Sequence, residues 1–74
     1  MSGPLAERIW RVRKNHTWID ARVAPADAAS SVELQFFYDG ALVFSRSWPT
    51  RDAALRHASQ QLRELQRAGW NTHW

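Results

Sequence analysis

Trp10-Arg-Val-Arg-Lys-Asn-His-Thr-Trp-Ile-Asp-Ala21 is the stretch whose reading decides the fold. Apolar Trp10 and Val12 alternate with Arg11 and Arg13, the period-two pattern of a strand with one buried face. Lys14-Asn-His-Thr17 forms a tight turn, because Asn tolerates a positive φ. Pairing Lys14 with Thr17 sets Val12 opposite Ile19, Trp10 opposite Ala21 and Arg8 opposite Val23. One face then collects Trp10, Val12, Ile19, Ala21 and Val23. The other gains two cross-strand pairs, Arg11 with Asp20 as an ion pair and Arg13 with Trp18 as a cation–π contact. A slip of one residue would destroy both sets.

Strands are expected at about 6–14 and 17–24, followed by a small-residue loop opened by Pro25, and a third strand at about 32–37 with Val32, Leu34 and Phe36 on one face. At Asp39-Gly40 two turns compete. A two-residue turn pairs Tyr38 with Ala41 and sends Leu42 and Phe44 away from Phe36. A three-residue loop with a glycine bulge pairs Phe37 with Ala41, and aligns Phe36 with Leu42 and Leu34 with Phe44. The second gives one continuous apolar face and is the register expected for the fourth strand, about 41–48.

Trp48-Pro-Thr50 then opens a helix at about 51–68, with Thr50 as N-cap and Asp52 in the positive first turn. Ala54, Leu55, Ala58, Leu62 and Leu65 recur at helical spacing. Gly69 is placed to end the helix, with Trp70 folding back on Leu65. The fold class is therefore α+β: a two-layer, single small domain over residues 1–74, with an antiparallel three- to four-stranded meander and one long C-terminal helix on one face. The expected core is Trp10, Val12, Ile19, Ala21, Val23, Val32, Leu34, Phe36, Leu42, Phe44, Leu55, Ala58, Leu62 and Leu65, sealed by Trp48 and Trp70. The chain ends are expected to be loose, with the tail ordered only if Trp74 docks.

With 74 residues and no cysteine, neither a disulfide nor a cysteine-based zinc site can support so small a domain. Stability falls to dense packing, to which five tryptophans contribute. No run of apolar residues reaches signal-peptide or transmembrane length, so a cytoplasmic location away from membranes is expected. The net charge is +3, with nine arginines and one lysine. Arginine is the residue of planar and stacked recognition, and this charge permits a polyanionic partner without demanding one.

No catalytic site is expected. His16, His57 and His73 show no zinc-ligand spacing, and nothing pairs a nucleophile with a base or builds a glycine-rich phosphate loop. Neither a metal nor a cofactor is implied, and a thin two-layer domain leaves little room for a small-molecule substrate. The informative feature is the sheet face turned away from the core. It carries Ile9, Arg11, Arg13, Trp18, Asp20, Arg22, Gln35, Phe37 and Val43. The expected binding residues are Arg11, Arg13, Trp18, Arg22, Gln35, Phe37 and Val43, because arginines around a contiguous apolar stripe mark an interaction surface. A secondary basic stripe, Arg56, Arg63 and Arg67 with Gln60, lies on the helix face opposite the core and reads first as a solvated face.

The layout from Trp18 to Leu62 resembles the three-stranded-sheet-plus-helix DNA-binding domains of the AP2 type and of integrase N-terminal arms. Trp18-Ile-Asp-Ala-Arg-Val23, Trp48-Pro-Thr-Arg-Asp-Ala-Ala54 and Ala58 carry the likeness. In those families the exposed sheet face enters the major groove. The resemblance implies contacts by Arg11, Arg13, Trp18 and Arg22. Two functions stay open: a nucleic-acid-binding protein using this face, or a protein-interaction module, including a homodimer, using the same face.

Overall fold

The computed structural model describes residues 7–26 and 31–72. The expected loose N-terminus, most of the loop after Pro25, and Trp74 lie outside these residues. The elements are β1 (Glu7–Lys14), β2 (Thr17–Pro25), β3 (Val32–Tyr38), β4 (Ala41–Trp48), α1 (Arg51–Arg67) and β5 (Asn71–Thr72). The strands form one antiparallel sheet in the order β4-β3-β2-β1-β5, with α1 packed on one face. The two-residue β5 was not expected. The chain leaves α1 through Gly69 (φ +100°) and turns back along β1, pairing Thr72 with Val12 and Asn71 with Arg13. No helix among the described residues is long and apolar enough to cross a membrane.

The first hairpin turns at Asn15 (φ +58°) and pairs Lys14 with Thr17, Val12 with Ile19 and Trp10 with Ala21, as expected. Beyond Trp10 the register shifts by one, so Arg8 faces Arg22 rather than Val23. Ile9 is the extra residue of this bulge. A bulge frees a side chain from strict alternation, and Ile9 packs against both halves of the core instead of standing on the outer face.

The second hairpin corrects the expected register. Asp39 (φ +51°) and Gly40 (φ +86°) both take left-handed backbone, the sign pattern of a type I′ turn, and Tyr38 pairs with Ala41. Phe37 then faces Leu42. A bulge follows at Val43, after which Phe36 faces Phe44 and Leu34 faces Arg46. The bulge returns Phe44 to the core side but leaves Leu42 on the outer face, 53% exposed. Phe44 is only partly covered, at 36% exposure, because β4 is the sheet edge.

Two clusters make up the interior. Val23 and Leu34 meet Ala54 and Ala58 at one end, and Trp10, Val12 and Ala21 meet Leu62, Leu65 and Trp70 at the other. Ala54 and Ala58 are fully buried, and their small side chains let α1 lie close to the sheet. That closeness lets Trp10 Nε1 donate to the Ala58 carbonyl at 3.0 Å. The helix begins with the Thr50 hydroxyl accepting from Ala53 N at 3.1 Å. It ends in a Schellman arrangement, Trp70 N to Leu65 O at 3.0 Å and Gly69 N to Gln66 O at 3.1 Å. Lys14 Nζ donates to the Ala68 carbonyl at 2.9 Å, placing a cation at the negative helix end.

Candidate functional site

The outer sheet face is built around Asp20. Alternation along β2 points this carboxylate away from the core, yet it is only 4% exposed because its neighbours close over it. Arg11 grips it at two points, Nε at 2.5 Å and Nη2 at 2.9 Å, and Arg22 Nη2 reaches it at 3.4 Å. The hydrogen-bonded Arg11 guanidinium holds the Asp20 carboxyl below the usual carboxylate range, against the opposing pull of burial, and Asp20 in turn raises Arg11.

Both arginines also sit over aromatic rings. The Arg11 guanidinium carbon sits 4.7 Å from the Trp18 ring centre, and that of Arg22 5.0 Å from Phe37. The expected partner of Trp18 was Arg13. Arg13 stands directly opposite Trp18 but turns its Nε to the Asn15 carbonyl at 3.2 Å, and the diagonal neighbour Arg11 takes the ring. Trp18 is further fixed by the second hairpin: Asp39 Oδ1 accepts from its N–H, and Asp39 N–H donates to its carbonyl, each at 3.0 Å.

Arg11, Arg13, Trp18, Arg22, Gln35 and Phe37 therefore do share one face. Gln35 Nε2 donates to Glu33 at 3.1 Å, and Ser45 Oγ donates to the same carboxylate. Val43 does not belong. It lines a small cavity on the helix side with Trp10, Ile19, Phe36, Tyr38, Gln61 and Leu65, and Leu42 takes its place outside. Arg8 joins the face through the β1 bulge, a placement that the regular register hid. Asp20 pairs with both inner arginines, one carboxylate against two guanidinium charges, while Arg8 and Arg13 form no ion pair among the described residues.

A second constellation lies on the other layer, where α1 runs past the β4 edge. Arg46 covers the Trp48 ring at 4.4 Å, and Trp48 meets His57 at 5.1 Å between ring centres. His57 continues onto Phe44 and Phe36, at 6.2 and 6.3 Å. Arg56 and Arg63 of the helix stripe flank this stack. Arg67 lies in the last helical turn and is not among the residues lining the groove there. Sequence reading gave Trp48 only a sealing role and left His57 unassigned. The signal was the shared helix-side position of residues 44, 46 and 48 once the β4 bulge is known.

No family model, curated protein or solved structure matches this chain, so its function is argued from the residues themselves.

Proposed function

We propose that this is a small non-enzymatic nucleic-acid-binding protein that uses its outer sheet face. The observation that carries the reading is the platform of guanidinium groups held over Trp18 and Phe37 around Asp20. Ion pairing and stacking fix the arginines before any ligand arrives, so little side-chain entropy is lost on binding. Arg8 and Arg13, free of ion pairs among the described residues, supply the phosphate contacts, and the platform packs on sugar and base surfaces. Labelled random duplex, titrated by fluorescence anisotropy at about 50 and about 200 mM salt, tests it: binding should weaken by orders of magnitude if several phosphates are neutralised. Absence of binding at the lower salt, or affinity untouched by Arg8→Ala with Arg13→Ala, removes the sheet face as a nucleic-acid surface.

A second reading, a protein-interaction module, has its own support. Of the five exposed large apolar side chains among the described residues, Tyr38, Leu42, Val43 and Phe44 gather on the β3–β4 hairpin, and Trp18 lies elsewhere. Such clustering at an open sheet edge favours a protein partner. Sedimentation of the protein alone, compared with Leu42→Ser, tests its self-association form.

A further inference from the structure

We propose that the groove between α1 and the β4 edge is a second binding site, for a phosphorylated planar ring: a nucleotide unit, free or within a single strand. This goes beyond the sheet-face reading and does not depend on it, because the groove opens on the opposite layer.

The groove has a volume of about 430 Å³ and is lined by Trp48, Arg56, His57, Gln60 and Arg63. Its size suits one nucleotide rather than a deep-seated ligand. Its charge is one-sided. Arg56 and Arg63 sit one on each side of Gln60 along the same flank of α1, and among the described residues no carboxylate lines the groove and neither arginine forms an ion pair. Arg46 adds a third cation nearby, held over the Trp48 ring. Arginine pairs provide the fork geometry that phosphate oxygens accept.

The aromatic half is equally specific. Trp48 and His57 both line the groove, their ring centres 5.1 Å apart and their planes 34° to each other. Rings of this kind stack on bases without regard to sequence. Trp48 Nε1 is buried and has no hydrogen-bond partner among the described residues. Gln60 offers both a donor and an acceptor to the edge of a base. A phosphate bound by Arg56 and Arg63 therefore places its attached ring against Trp48 and His57.

Titration of ¹⁵N-labelled protein with uridine monophosphate, uridine, inorganic phosphate and an oligothymidine of eight nucleotides tests this. The Trp48 indole resonance is assigned by its loss in Trp48→Phe. The monophosphate should shift that resonance and the amides around Gln60 together and saturably, and Arg56→Ala with Arg63→Ala should weaken it at least tenfold. Both arginines are exposed, so circular dichroism should show this double variant folded. Arg8→Ala with Arg13→Ala should leave groove binding unchanged, which separates this site from the sheet face. Tighter binding of the oligomer than of the monophosphate identifies a single strand as the source, and equal binding identifies the free nucleotide. Uridine or phosphate alone matching the monophosphate would overturn the proposal, as would shifts confined to the sheet face or no shift with any probe.

Discussion

Arg11 meets both carboxylate oxygens of Asp20, at 2.5 and 2.9 Å, on a sheet face that no other element among the described residues covers. The pair sits one strand apart in register, and each partner is also committed elsewhere: Arg11 to Trp18, Asp20 to Arg22. The result is a linked polar array in which the Arg22 Nε stays buried without a hydrogen-bond partner among the described residues.

Asp20→Asn should cost about 1–3 kcal/mol near neutral pH, the range for losing a hydrogen bond to a charged group. Its folded pKa is lowered, so its contribution is whole above the unfolded carboxylate value of about 3.9 and is lost as pH falls through the folded value. Thermal melts of both proteins from about pH 7 to pH 2 should show a constant gap in Tm that closes in acid. A gap that stays open at the acid end would assign the loss to packing instead.

The Trp10–Ala58 bond gives a second prediction. Trp10→Phe keeps the aromatic contact with Phe36 but leaves the Ala58 carbonyl without its indole donor. Urea unfolding should show a loss of about 0.5–1.5 kcal/mol for the lost hydrogen bond, plus a contribution from the space vacated. Ala58→Leu should cost a similar amount for the opposite reason, because α1 would be pushed off the sheet. If Ala58→Leu left stability unchanged, the close helix–sheet approach would be wrong.

The first hairpin was legible because alternation, turn residues and two cross-strand pairs all demanded the same register. Ile9 escaped because no residue type announces a bulge; the shift shows only once Trp10 and Glu7 must both find partners. In β4 the difficulty was the run Leu42-Val43-Phe44. Three apolar neighbours cannot all face the core, and a regular strand forces a choice between Leu42 with Phe44 and Val43 alone. The backbone combined a two-residue turn with a bulge and put Phe44 and Val43 on the helix side. The groove was illegible for another reason: residues 46, 48, 57 and 63 meet only through the rotation of α1 over the sheet edge, which no local pattern encodes.

The register of β4 can be checked by stability alone. Leu42 is on the outer face at the edge, so Leu42→Ser should stay within about 0.5 kcal/mol of the parent. Phe44 stacks on Phe36 at 5.2 Å, so Phe44→Ser should destabilise by about 2–3 kcal/mol, short of a full core truncation because the ring is half-exposed. Equal costs at the two positions would favour the continuous apolar face of the three-residue loop.

The sheet face makes a quantitative claim about salt. Each phosphate contact on duplex DNA contributes about 0.9 to the slope of log affinity against log salt. Arg8 and Arg13 lack ion pairs among the described residues and border the platform, so replacing both with alanine should lower that slope by about 2. Arg11→Ala should behave differently. Its charge is already balanced by Asp20, so the slope should change little while stability falls, and the freed Asp20 carboxylate should weaken duplex binding at every salt concentration. Anisotropy titrations across a salt series, paired with melting curves for each variant, separate the two effects. A slope reduced equally by Arg11→Ala and by the outer pair would mean that the Arg11–Asp20 pair opens on binding, and that the platform itself reads phosphate.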